Sequence, residues 1–182
     1  MVIEVTAAEH ADLPELADVA ALTFPLACPA AARPEDIAAF IATTLSAARF
    51  AEYLADPTRA VLIARNESRI LGYAMTVDGV PDDPDVQAAV TLRPAVELSK
   101  MYVVPDSHGG AVSAALMRAA LVHATAAGAV GVWLGVNQQN RRAQRFYGKH
   151  GFAVSGTKTF RLGAGIEQDF VMLRPLLDAE QT

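Results

Sequence analysis

The spacing of apolar residues changes several times along the chain, and each change marks an element. Ile3-Glu4-Val5 alternates and predicts a short first strand. Over residues 12–22, Leu13, Leu16, Val19 and Ala20 recur at helical spacing, with Pro14 near the start, where proline is tolerated. Phe24-Pro25 is predicted to end that helix. Pro34-Glu35-Asp36 opens a second helical stretch, with acids at the positive end of the helix dipole. Ile37, Phe40, Ile41 and Leu45 continue it, then Phe50, Tyr53 and Leu54. Residues 60–64 and 70–75 flank the turn Asn66-Glu67-Ser68 and predict a hairpin. Between 78 and 90 lie two prolines, a glycine and four aspartates, which predict a mobile loop.

The second half is more regular. Residues 96–104 form a predicted strand ended by Pro105. Residues 110–127 form a helix with Val112, Ala115, Leu116, Ala119 and Val122 along one side, and Gly128 stops it. Residues 130–136 are continuously apolar, as parallel pairing in a sheet covered on both faces requires. Residues 140–150 are the last helix, followed by Gly151. Residues 152–162 and 169–173 close the chain as an antiparallel pair. The order β, two helices, ββ, β–α–β, α, ββ predicts one α/β domain over residues 1–182 with a mixed sheet.

Composition narrows the function classes. The chain has 182 residues, 52% hydrophobic and 19% charged, enough for a sizeable core and too apolar for disorder. Fifteen basic residues against twenty acidic give a net charge of -5, with no basic stripe for a nucleic acid. The single cysteine, Cys28, excludes an intrachain disulfide and a thiolate metal site. The spacings of His10, His108, His123 and His150 fit no metal-ligand pattern. There is no basic leader with a long apolar run and no stretch approaching ~18 apolar residues, so a cytoplasmic protein away from membranes is expected.

The sharpest local feature is the strand–loop–helix from Tyr102 to Leu116, which passes through His108-Gly109-Gly110-Ala111-Val112-Ser113. A helix N-terminus offers unpaired N–H groups and partial positive charge, and glycine lets a ligand approach the backbone closely. A pyrophosphate could sit there; a helix that merely begins at a Gly-Gly loop would give the same string. Neither a Gly-Lys-Ser/Thr loop nor a G-x-G-x-x-G fingerprint is present.

After the next strand comes Asn140-x-x-Ala143-x-x-Phe146-Tyr147, then Gly151-Phe152. On these residues the chain resembles the GCN5-related N-acetyltransferase (GNAT) superfamily. The family's phosphate loop is only partly matched. His108 stands where Gln or Arg is usual, Ala111 where Gly is usual, and Ser113 where Gly or Ala is usual. The segments at 97–103, 133–136 and 146–152, with Gly156, Phe160, Gly163 and Asp169, look like the PaiA-type polyamine acetyltransferases, although Asn137 departs from the aromatic residue often found there.

The resemblance implies a mixed, mostly antiparallel sheet with a central splayed parallel pair and helices on both faces. It implies transfer of acetyl from acetyl-CoA, as co-substrate, to an amine, without a metal. The backbone of Met101 and Val103 would bond the pantetheine arm, and the amides of His108, Gly109, Gly110, Ala111, Val112 and Ser113 would take the pyrophosphate. A positive φ required at Ala111 would weaken that site. Asn140 would bond the cofactor, and Tyr147 would protonate the departing thiolate. Their seven-residue spacing returns both to nearly one helix face, offset by ~20°.

An alkyl ammonium of pKa about 10.4 costs roughly 4.6 kcal/mol to neutralise at pH 7. Glu97 is the candidate base. Strand alternation predicts Glu97, Ser99, Met101 and Val103 on one face, with Glu97 ~13 Å from Met101 and acting through water, and Ser99 as a relay. Glu97, Ser99 and Phe24 are the expected acceptor contacts. Glu97 could equally serve only to attract a cation.

The expected acceptor is the primary amine of a small molecule, polyamines first. Acetylation of protein N-termini, amino acids or aminoglycosides is the alternative within the enzyme class. A CoA-binding module without catalysis is a third reading. The loop at 78–90, with Asp82, Asp83 and Asp85, and the helices near Phe24 and Phe50 should line the acceptor cleft. A homodimer is expected by analogy alone.

Overall fold

The computed structural model describes residues 2–107 and 110–176. Its elements are β1 (Glu4–Ala7), α1 (Leu13–Ala27), α2 (Pro34–Thr44), α3 (Ala47–Ala55), β2 (Arg59–Arg65), β3 (Ile70–Asp78), α4 (Pro84–Ala89) and β4 (Ala95–Val103). They continue with α5 (Ala111–Ala126), β5 (Gly131–Asn137), α6 (Arg141–Lys149), β6 (Ala153–Leu162) and β7 (Gly165–Pro175). The seven strands form one sheet in the order β1-β2-β3-β4-β5-β7-β6. Every neighbouring pair is antiparallel except β4 and β5, which are joined through α5. This is the mixed α/β architecture the element order predicts.

The sheet is covered on two sides. α5 packs on β2, β3 and β4, while α1 and α3 pack on the opposite face. Leu16, Ala20, Phe50, Tyr73, Leu116 and Met117 are fully buried between these layers. At roughly 1.5–3 kcal/mol for each large apolar side chain, burial of this kind holds the layers together.

Three boundaries differ from the sequence reading. α1 runs past Pro25 to Ala27, because burial of Phe24 against Phe40 and Tyr102 holds the last turn in place. The second helical stretch is two helices, divided where Ser46 caps α3 by accepting from the Arg49 amide at 3.2 Å. Residues 78–90 are no mobile loop. The Asp83 carboxylate caps α4 through the Asp85 and Val86 amides. Val86, Ala89 and Val90 close over Trp133, whose indole N–H donates to the Gly79 carbonyl.

A β-bulge sets the faces of β4. Thr76 lies opposite Leu98 but Met75 lies opposite Lys100, so Ser99 is the extra residue. Residues directly opposite share a face. Glu97, Lys100 and Tyr102 therefore share one face, and Leu98, Met101 and Val103 the other. This overturns the alternation that groups Glu97 with Met101 and Val103: one inserted residue reverses the parity of everything beyond it.

Candidate active site

The parallel ladder between β4 and β5 is short. It pairs Ala95 with Gly131, Val96 with Val132 and Glu97 with Trp133, and then ends. β4 continues beside β3 and β5 beside β7, so the two strands separate past Glu97. A cavity of about 270 Å³ occupies the gap.

Several elements contribute to it, among them β5 with Gly135, Val136 and Asn137 and α2 with Phe40. β4 supplies Glu97, Ser99, Lys100, Met101 and Tyr102. The end of α1 and the loop after it add Phe24 and Cys28. α6 and its cap bring Asn140, Ala143 and Tyr147. The β6–β7 hairpin provides Lys158, Phe160, Glu167 and Asp169. Phe24 stacks on Phe40 with ring centroids 4.5 Å apart, and Phe40 meets Phe160 at 5.6 Å, which makes one wall aromatic.

Tyr147 stands on α6 against Phe146 and Phe152, with ring centroids at 5.6 and 5.9 Å. Burial pushes its hydroxyl up to about 12, so it holds its proton at neutral pH. Asn140 caps α6, its Oδ1 accepting from the Ala143 amide at 3.1 Å. A bond from this side chain to a ligand would therefore come from Nδ2.

Glu97 is raised above the ordinary carboxylate range by burial, an effect that Lys158, Lys100 and Arg59 oppose. Burial pulls the Lys100 ammonium down to about 8; Glu97 resists this, while Arg59 and Arg49 add to it. Burial also raises Asp169, with Lys158 opposing and Glu167 adding. The Cys28 thiol is pushed up to about 11 by burial and by the charge of Glu167, so it is protonated at neutral pH. Glu167 also accepts from the Asn137 side chain at 3.3 Å.

The predicted site residues divide into two groups. Glu97, Ser99, Met101, Phe24, Asn140 and Tyr147 line the cavity; Val103 does not and lies in the core. Gly110, Ala111, Val112 and Ser113 are at the start of α5, outside the cavity lining. Gly110 takes φ +87°, and Ala111 begins the helix, so the left-handed position falls on glycine. The substitution of Ala for Gly at 111 thus strains nothing. The amides of Ala111, Val112 and Ser113 open the helix and have no partner within it. His108 and Gly109 lie outside the described residues.

Two acceptor expectations fail. Asp82, Asp83 and Asp85 are not in the cavity, because the segment carrying them folds over Trp133 instead. Phe50 is not there either; it is fully buried against Tyr73. In their place the cavity holds Lys100, Lys158, Glu167, Asp169 and Cys28, none of which the sequence had marked as site residues. Among the described residues, no cluster of His, Cys, Asp and Glu could hold a metal ion, and no helix is long and apolar enough to cross a membrane.

Residues 25–152 match the model of the acetyltransferase (GNAT) family. The chain belongs to that family. It is an N-acetyltransferase, and acetyl-CoA is the acetyl donor that GNAT enzymes use. An uncharacterized N-acetyltransferase of Mycobacterium tuberculosis is 57% identical over 166 residues, which cover 91% of this chain and 99% of the relative. Among solved structures, the PaiA N-acetyltransferase from Thermoplasma acidophilum in complex with coenzyme A superposes with TM-score 0.75 at 21% identity, covering 97% of this chain and 100% of that one. The ribosomal-protein-S18-alanine N-acetyltransferase from Escherichia coli gives TM-score 0.68 at 17% identity, covering 100% and 99%. At these identities the two structures share the GNAT fold with this chain, and the likeness to PaiA extends no further than that.

Proposed function

We propose that this GNAT enzyme acetylates the primary amine of a small molecule by direct attack on acetyl-CoA, with Glu97 as base and Tyr147 as acid. The observation that carries this reading is the cavity at the β4–β5 split, lined by a half-buried carboxylate on one strand and a protonated tyrosine on α6. The residues fit the donor. The edge of β4 at Ser99 and Met101, past the end of the ladder to β5, can bond an extended amide chain as an added strand would. The opening amides of α5 suit a pyrophosphate.

When bound, acetyl-CoA supplies the acetyl thioester. Glu97, directly or through a water, takes the proton that makes the amine a nucleophile. Burial raises its basicity and so serves this step. Tyr147 keeps a proton at Oη for the departing sulfur. Asn140 fixes the start of α6 and offers Nδ2 to the donor. The aromatic wall of Phe24, Phe40 and Phe160 keeps water from the acceptor side.

The non-catalytic reading rested on the altered phosphate loop at His108, Ala111 and Ser113, and Ala111 in a regular helical position weighs against one of these grounds. The test is a panel of amines with detection of released thiol. Tyr147→Phe lowers turnover by about 10²–10⁴ if the hydroxyl is the proton donor. Unchanged turnover would refute that role.

A further inference from the structure

The cavity is built for two signs of charge. Its lining holds three carboxylates, Glu97, Glu167 and Asp169, and two lysines, Lys100 and Lys158. A purely cationic acceptor would be drawn by the first set and repelled by the second. The lysines differ in setting. Lys100 shares its sheet face with Glu97 and lies close enough to Arg59 and Arg49 to feel both. Lys158 reaches in from β6, where it lies opposite Asp169.

Its path depends on Gly135 in the middle of β5. A Cβ at that position would lie 2.6 Å from Lys158 Cε and 3.5 Å from Cδ. A strand interior is weakened by glycine, and here the missing side chain is the space the lysine arm occupies. The Lys158 ammonium ends 6.0 Å from the Phe160 ring centroid. Among the described residues no carboxylate oxygen comes within 4.0 Å of it. Asp169 is its cross-strand neighbour and Glu97 lies within its electrostatic range, but it forms an ion pair with neither. A half-buried ammonium held short of its carboxylates leaves its hydrogen-bond donors for a ligand.

Resting on the amine-acetylating reading above, we infer that Lys158 anchors an anionic group on the acceptor. The substrate is then a zwitterion: a small molecule carrying a primary amine and a carboxylate, or an oxyanion of similar reach, as an amino acid does. The amine lies toward Glu97 and Tyr147, and the anion toward Lys158. Lys158 selects the acceptor and takes no part in making or breaking bonds.

The experiment compares matched pairs that differ only by the anion: phenylalanine with phenethylamine, leucine with isoamylamine, lysine with cadaverine. An aminoalkyl phosphonate distinguishes a carboxylate site from a general oxyanion site. Thiol release gives kcat/KM for the wild type, Lys158→Gln and Lys158→Arg. Melting temperature with CoA and each acid gives binding apart from turnover. The wild type should favour at least one acid over its amine by about 10- to 100-fold, the range of a charge-assisted hydrogen bond. Lys158→Gln should bring that ratio close to one through KM and abolish the melting shift given by the acid. Lys158→Arg should keep most of the preference. Preference for the decarboxylated partners, or an equal loss on both members of a pair in Lys158→Gln, overturns the anchor and leaves amine acetylation standing. No thiol release from any member overturns both.

Discussion

Replacing Gly135 with alanine adds one methyl group where the Lys158 arm crosses β5. The added carbon would begin 2.6 Å from Lys158 Cε and 3.3 Å from Asp169 Oδ2. Carbon–carbon contacts settle near ~3.5–4.0 Å, so the arm must retreat by about 1 Å. The obstacle is the far part of a flexible side chain, and an off-rotamer lysine costs about 0.5–1.5 kcal/mol. Alanine returns about 0.5–1 kcal/mol over glycine in a strand. The two terms nearly cancel. At about 2–4 °C per kcal/mol for a chain of this size, the melting temperature should move by no more than ~4 °C. The ammonium, by contrast, leaves its position, and displacement on the order of 1 Å in a site can cost up to ~100-fold. The preference of the enzyme for an amino acid over its decarboxylated amine should fall on the order of tenfold. Thermal melting and the paired kcat/KM values check this together. A fall of more than ~8 °C would show that the arm cannot give. An unchanged melt with an unchanged preference would refute any dependence of acceptor choice on the Lys158 path.

Two other perturbations separate the roles of the buried charges. If Glu97 is the base, activity requires its carboxylate; because burial raises its pKa, kcat/KM should rise with pH through a limb above the ordinary value of 4.5, and Glu97→Gln should erase that limb while lowering kcat by about 10²–10⁴. A wild-type profile flat from pH 5 to 8 would count against it. Lys100 is depressed from 10.5 to about 8, so the unfolded chain holds the extra proton between these values and wild-type stability rises with pH across that window. Below it the half-buried charge costs up to about 3 kcal/mol. Lys100→Met should therefore stabilise the fold by about 1–3 kcal/mol at pH 7, less whatever Glu97 loses, with the gain shrinking toward pH 10. Urea unfolding at both pH values measures it, and a variant destabilised at pH 7 would contradict the sign.

Much of the architecture can be read locally because its signals are local. The hairpin around Asn66, the helix stop at Gly128 and the apolar run at 130–136 each declare themselves within a few residues. α4 does not. Its Pro84 and capping Asp83 are the residues that also make turns, and only the packing of Val86 and Ala89 onto Trp133 decides for a helix. The bulge at Ser99 has no sequence mark, since it is set by the register of β3 against β4, and with it goes the face that Glu97 occupies. Asn140, Ala143 and Tyr147 are spaced for one helix face and all line the cavity. Lys158, Glu167 and Asp169 reach the same cavity through the antiparallel pair of β6 and β7, which the sequence predicts, but the register that sets Lys158 opposite Asp169 is fixed by the pairing itself and has no local mark.

The strand order has a consequence for synthesis. β1 to β4 pair in the sequence in which they leave the ribosome, so the half of the sheet bearing Glu97 can assemble while translation continues. The outer edge of β5 waits for β7, which slots between β5 and a hairpin partner made earlier. Until that late insertion, β5 exposes a bare hydrogen-bonding edge of apolar composition. The wall carrying Lys158, Glu167 and Asp169 is thus the last to take shape, and a nascent chain stalled before residue 165 holds half a binding site beside an adhesive border.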